Sequence, residues 1–106
     1  MDVLQLALQA ERTAPDLTRL PPEMILAAMT RLDELRDAIH PTPTSELFEQ
    51  YDSLTDHLGT IAMMRAKKIR DAVGYGRPMN MLPQEIAFYD AVDAATTALV
   101  RAWGIG

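Results

Sequence analysis

Two groups of acidic and histidine side chains are the first candidates for chemistry in this sequence. Asp33, Asp37 and His40 stand at positions i, i+4 and i+7, so they would share one face of a helix. Oxygen and nitrogen ligands of this kind could hold a metal ion, although three ligands on one helix are a weak signal. The alternative is a solvated acidic face, with His40 interacting with the last turn of its helix.

A second group, Asp52, Asp56 and His57, invites the same two interpretations. The sequence contains no cysteine, so neither a disulfide framework nor a thiolate metal site can form. It also contains no glycine-rich phosphate loop, no nucleophile elbow and no HExxH helix. The sequence therefore predicts no catalytic centre, no bound cofactor and no metal.

Arg65 is the most informative charged residue, because it falls on an apolar helical stripe between Ile61 and Ile69. A buried guanidinium without a partner is very costly, so Arg65 should find a carboxylate or carbonyl oxygens. One interpretation is an internal ion pair with an acid such as Glu85 or Asp90. The other is a contact that fixes a neighbouring subunit.

The stripe that contains Arg65 repeats at intervals of three and four residues from Ser45 to Val73, which predicts one long amphipathic helix. A helix of about 30 residues is roughly 45 Å long, which exceeds the core of so small a domain. Part of its flank should therefore be free for a partner. The fold class predicted is all-α, a four-helix bundle-like domain with one long central helix at about residues 45–73.

Three further helices are predicted around this one. They are expected at residues 2–13, from Pro22 to His40, and from Pro83 until Gly104 ends the last one. The proline-rich linker 41–44 should turn the chain so that the second and third helices are antiparallel.

Length and charge indicate one interaction domain over residues 1–106, with Leu17 and Leu20 anchoring a connector to the core. No apolar run reaches the length of a membrane span, so a soluble, cytoplasmic protein without membrane contact is expected. The net charge is −5, with −7 in residues 1–60 and +2 in residues 61–106. This balance disfavours direct nucleic-acid binding by the whole surface.

One local basic segment is the exception to that balance, and it consists of Arg65, Lys67, Lys68, Arg70 and Arg77. These side chains either lie in solvent at the C-terminal end of a helix, where cations are favoured, or contact nucleic acid or an acidic protein. The candidates for nucleic-acid contact are Lys67, Arg70 and Arg77.

Seven methionines are an unusual number for 106 residues. They either fill gaps in the core or form an adaptable interface, since the thioether side chain repacks easily. The residues in question are Met29, Met63, Met64, Met79 and Met81.

Three short motifs occur in a fixed order along the chain. The first is Leu20-Pro21-Pro22-Glu23, which leads into a helix that ends Leu35-Arg36. The second is Arg65-Ala66-Lys67-Lys68-Ile69, late in the long helix. The third is Met81-Leu82-Pro83-Gln84-Glu85, which opens a helix containing Tyr89. Together they cover most of the chain, and this arrangement resembles the helical domain of archaeal GINS subunits.

The resemblance implies a non-enzymatic subunit of a DNA replication complex. GINS is a tetrameric assembly that joins the MCM helicase to a RecJ-like partner, and its helical domains form the tetramer core. Family members normally add a small β-rich domain that is not found in residues 1–106, so either the sequence is a truncated form or the subunit is abbreviated. The partners implied are protein subunits in a homo- or hetero-oligomer. The residues expected at protein interfaces are Leu58, Ile61, Arg65, Lys68, Ile69, Leu82, Glu85, Tyr89, Leu99 and Trp103.

Two alternatives stay open. The run from Glu85 to Val92 resembles the C-terminal helical region of type I restriction enzyme motor subunits, which would make the chain a tether without chemistry of its own. A small helical antitoxin or regulator is also compatible with an acidic chain of this length.

Overall fold

The fold, taken from a computed structural model that describes residues 2–104, consists of four helices joined by short loops. They are α1 (Val3–Thr13), α2 (Pro22–Ile39), α3 (Ser45–Ala72) and α4 (Pro83–Ala102). The prediction of an all-α domain with one long central helix is confirmed. The observed bounds lie within one or two residues of those predicted from the sequence.

Local sequence explains where the helices begin. Asp2 caps α1 by accepting a hydrogen bond from the Gln5 backbone N–H at 2.9 Å, and the Gln5 side chain accepts one from the Asp2 N–H at 3.0 Å. This reciprocal pair satisfies two N–H groups that have no partner inside the helix. Thr44 caps α3 through the Leu47 N–H at 3.2 Å. Both α2 and α4 start with a proline in the first turn.

Helix α3 is the centre of the molecule, because the backbones of α1, α2 and α4 each approach it closely. Side chains of α1 and α2 also share the apolar cluster around Ile61. It runs unbroken for 28 residues, or about 42 Å. The first turn of α2 packs near Ile61, whereas the Arg31 guanidinium donates to the Gln50 side chain at 3.1 Å further along. These contacts show that α2 and α3 are antiparallel, as the linker sequence predicts.

Helices α1 and α4 run in the same direction as α3. Leu8 of α1 lies in the cluster around Ile61, and Glu11, one turn later, bonds to Arg65. Glu85 at the start of α4 also bonds to Arg65, and α4 then continues towards the C-terminal end of α3. The loop 73–82 therefore carries the chain back along α3 before α4 begins.

Two small apolar clusters lie on either side of Arg65. One joins Leu17 to Ile69 and Tyr89, and the other joins Leu20 to Ile61 and Leu82. Leu17 and Leu20 are both buried, which confirms that they anchor the connector between α1 and α2.

The molecule is elongated, with principal extents of 58 × 28 × 19 Å and a radius of gyration of 17.3 Å. A compact chain of this length has a radius of gyration of about 13 Å. Its accessible surface is 7338 Å². A compact monomer of 11.8 kDa exposes about 5900 Å². Roughly 1400 Å² of surface is therefore left uncovered in excess of that expected for a compact fold.

Candidate interaction surface

Arg65 is 1% exposed and lies where α1, α3 and α4 meet. Its Nε and Nη2 donate to the two carboxylate oxygens of Glu85 at 2.7 and 2.8 Å. Its Nη1 donates to Glu11 Oε1 at 2.6 Å and to the Thr18 carbonyl at 2.8 Å, and Nη2 also donates to the Asn80 carbonyl at 2.9 Å. These contacts occupy all five N–H donors of a guanidinium.

Glu85 has a second task at the start of α4. Its Oε1 accepts a hydrogen bond from the Leu82 backbone N–H at 2.8 Å, so the carboxylate caps the helix while it binds Arg65. A negative charge in the first turn also suits the positive end of the helix dipole. The Leu82-Pro83-Gln84-Glu85 motif thus fixes the position along α3 at which α4 begins.

Lys68, one turn after Arg65, joins the same cluster from the side of α1. Its ammonium donates to Glu11 Oε2 at 2.6 Å, to the Glu11 carbonyl at 2.7 Å and to the Asp16 carbonyl at 3.0 Å. Glu11 is fully buried, and its carboxylate also accepts from the Thr18 hydroxyl at 2.8 Å. We call Arg65, Lys68, Glu11 and Glu85 the Arg65 network.

The electrostatics of the Arg65 network favour the charged forms. Burial by itself raises the pKa of Glu11, but the hydrogen bonds from Lys68, Arg65 and Thr18 outweigh it and lower the pKa below 4.5. Burial likewise opposes the charge on Arg65, yet the bonds to Glu85 and Glu11 raise its pKa. No buried side-chain polar atom in residues 2–104 lacks a hydrogen-bond partner. The network therefore holds three helices together without an unpaired buried charge.

The internal interpretation of Arg65 is confirmed in part. Glu85 is its partner, whereas Asp90 instead pairs with Arg77 at 2.8 Å on the surface. Glu11 was not predicted as a partner of Arg65. Its position on the apolar stripe of α1, three residues after Leu8, indicates a buried acid, but this position alone does not identify its partner.

The residues expected at protein interfaces differ in how much of their surface is free. Lys68 and Glu85 serve the Arg65 network, and Leu58 is half-buried. Leu99 and Trp103 are 55% and 74% exposed and remain candidates for a partner. The others have almost no surface to offer and act inside the chain's own fold: Ile61, Arg65, Ile69, Leu82 and Tyr89.

An open apolar groove of about 320 Å³ runs between α3 and the start of α4. Leu58 and Ala62 of α3, Phe88 of α4 and Met29 of α2 line it. We call it the α3–α4 groove. Met29 is 52% exposed there, while Met63 and Met79 are exposed elsewhere and Met64 is half-buried.

Beyond the groove, α4 loses its cover altogether. Every residue from 93 to 103 is exposed, and Val92 is the last one that is even half-buried. We call residues 93–103 the outer segment of α4. Along most of its length, the stripe formed by Val92, Thr96, Leu99 and Trp103 therefore has no packing partner among residues 2–104.

The basic residues considered for nucleic-acid contact are largely neutralised. Lys67 pairs with Asp71 at 2.8 Å, and the Arg77 guanidinium lies 5.4 Å from the centroid of the Tyr89 ring while it pairs with Asp90. Arg70 is exposed in the last turn of α3. Charges with adjacent acids provide little positive field for phosphates.

The acidic and histidine groups stay apart from any site. Asp33, Asp37 and His40 are exposed, and the Asp33 carboxylate accepts from Arg36 at 3.2 Å. Asp52 and Asp56 are also exposed on α3, beside a half-buried His57. Residues 2–104 contain no group of three or more His, Asp or Glu side chains placed to bind a metal ion.

No helix within residues 2–104 combines the length and the apolar character needed to cross a membrane. In comparisons with known proteins, no protein-family model matches the chain, and neither a curated protein nor a solved structure matches it.

Proposed function

We propose that this chain is a non-enzymatic subunit of a GINS-like DNA replication complex, in which it scaffolds the replicative helicase through helix–helix contacts. The observation that carries the proposal is the apolar surface that the fold leaves uncovered, in the α3–α4 groove and along α4. Monomeric proteins rarely expose contiguous apolar patches of more than a few hundred Å², and larger ones mark interaction sites.

The three motifs that resemble GINS support the same proposal by their spatial relation. Arg65 and Lys68 of the second motif meet Glu85 of the third and the connector that precedes the first. The charged groups of Arg65 and Lys68 therefore bond within the chain, where Arg65 holds the start of α4 through Glu85. The motifs would thus preserve a rigid platform, and the partner contacts would come from the apolar side chains around it.

The α3–α4 groove would receive a helix of another subunit. An amphipathic helix that docks in an apolar groove uses side chains at intervals of three and four residues, which suits a groove between two parallel helices. Met29 at its rim can adapt to the shape of such a helix, because its side chain is flexible and polarisable.

Binding to purified MCM helicase and RecJ-like protein from the same source tests the proposal. We expect the chain to co-elute with one or both as a stoichiometric complex in size-exclusion chromatography. Ala62→Glu, which places a charge in the α3–α4 groove, should abolish co-elution. Met63→Glu is the matched control, since Met63 is 67% exposed and lies outside the groove. A chain that binds neither protein would overturn the proposal.

A further inference from the structure

The outer segment of α4 extends past the end of the helix that supports α4. Tyr89 packs in the same cluster as Ile69 and Val73, and α3 ends at Ala72. Because α4 runs in the same direction as α3, residues after Val92 have no α3 beneath them. The outer segment is thus roughly 16 Å of helix without a packing partner among residues 2–104.

One face of this projecting helix is apolar although it is exposed to solvent. Val92, Thr96, Leu99 and Trp103 follow Tyr89 at intervals of three, four, three and four, so they continue the stripe that is buried at Tyr89. An apolar stripe with this period is typical of a helix that packs against another helix. The large side chains Leu99 and Trp103 are nevertheless 55% and 74% exposed.

We propose that a second copy of this chain covers the stripe, with the two outer segments packed antiparallel about a two-fold axis. The inference rests on the proposed function, which makes the chain an assembly subunit, and it deepens that function by naming one partner and the surface it uses.

The whole molecule exposes more surface beyond that of a compact monomer than one side of a standard dimer interface buries. The chain exposes 7338 Å², about 1400 Å² more than a compact monomer of its mass. A standard protein–protein interface buries about 800 Å² on each partner. Pairing of the outer segments, with some contact to the loop 73–82 where Tyr75 is 91% exposed, lies within this excess.

The register of the stripe is self-complementary in the antiparallel direction. A two-fold axis between Thr97 and Ala98 sets Trp103 of one copy against Val92 of the other and Leu99 against Thr96. Each large side chain then faces a smaller one, which lets the two surfaces interdigitate. An isologous contact of this kind closes after two copies.

Charge favours the same arrangement. Each chain carries a net charge of −5, so two copies repel when their bodies lie side by side. The outer segment itself is neutral, since Asp93 and Arg101 are its only charged residues. Antiparallel pairing joins the two neutral segments and keeps the charged bodies at opposite ends.

Light scattering across the micromolar range tests the pairing. The wild-type chain should have twice the monomer mass of 11.8 kDa. Leu99→Glu combined with Trp103→Glu should give a monomer, while Thr97→Glu, on another side of the same helix, should keep the dimer. A wild-type monomer throughout, or a dimer that survives the double substitution, would overturn the inference.

Disulfide trapping tests the direction, because the chain has no cysteine of its own. When Val92→Cys and Trp103→Cys are mixed and oxidised, the antiparallel pair should give the mixed disulfide. In that arrangement, the two copies of residue 92 are offset by 11 residues along the helix axis, or about 16 Å, and so are the two copies of residue 103. This distance is too long for a disulfide between identical positions. Two homodisulfides with no mixed product would instead show a parallel pair and contradict the inference. Ala94→Cys, on the opposite side of the helix, is the control and should form little disulfide.

These results are independent of the binding test for the proposed function. A monomer that still binds MCM helicase would end the second-copy inference alone. A dimer that binds neither replication protein would end the proposed function and keep the pairing.

Discussion

At the scale of single residues, the Arg65 network is the costliest feature of the sequence to build and the hardest to replace. Buried ions lose their hydration, and their mutual attraction compensates only when every donor and acceptor is satisfied. Arg65 and Lys68 together place eight N–H donors on carboxylate and carbonyl oxygens. A network of this kind defines one arrangement of the helices, because any displacement would leave a buried charge without a partner.

Truncation of Arg65 tests this view. We expect Arg65→Ala to lower the free energy of unfolding by more than about 2 kcal/mol, because it leaves Glu11 and Glu85 without their counter-charge. Chemical denaturation measures the change. Arg36→Ala is the matched control, since the Arg36–Asp33 pair is exposed and screened by solvent, so its loss should change the free energy of unfolding far less. A melting temperature unchanged by Arg65→Ala would contradict the internal network.

Acid should weaken the fold through Glu11. The pKa of Glu11 is lower in the folded chain than the ordinary value of 4.5. Its contribution to the free energy of unfolding is therefore present above pH 4.5 and is lost as the pH falls through the folded pKa. Glu11→Gln should be less stable at neutral pH, and its stability should fall less between about pH 5 and about pH 3. Denaturation curves across this range measure the difference. Asp33→Asn, which removes an exposed carboxylate outside the Arg65 network, is the control.

At the scale of elements, the helices were predictable because their signals are local. Proline in the first turn of α2 and α4, the Thr44 cap and the three-and-four spacing in α3 each fix a boundary within a few residues. The partner of Arg65 on α1 was harder to predict, because the sequence separation of 54 residues gives no local signal. Matching Glu11 to Arg65 requires α1 to lie parallel to α3, and this direction becomes clear only from tertiary packing.

Gly59 offers a direct test of the long helix. It lies in the middle of α3, and a Cβ added there would meet no heavy atom within 4 Å. Gly59→Ala should therefore raise the free energy of unfolding by about 0.5–1 kcal/mol, because alanine loses less backbone entropy in a helix.

The control for that substitution is Gly74→Ala. Gly74 has a φ of +93°, which side chains rarely adopt, so alanine there should destabilise the chain by about 1 kcal/mol or more. Thermal melts of both variants give the comparison. A loss of stability for Gly59→Ala would mean that α3 is broken or bent near that position.

At the scale of the whole molecule, the sequence predicted that apolar surface would be left uncovered, but it did not predict that much of this surface lies on α4. A central helix longer than its domain indicated that some flank would be free, and the α3–α4 groove confirms an open face there. The projection of α4 could not be read from its own stripe, since Tyr89 and Leu99 belong to one pattern and yet one is buried and the other exposed. The difference arises because α3 ends at Ala72, before the stripe does.

Hydrogen exchange along α4 tests the central claim most directly, namely that the outer segment is held ready for a partner. In dilute solution, amides in the first half of α4 should be protected by their packing on α3, while those of residues 94–103 should exchange rapidly. When the concentration is raised so that the chain assembles, protection should appear in residues 94–103 and change little in α1 and α2. An outer segment that is already protected in the dilute monomer, or that stays unprotected in the assembled state, would contradict the account.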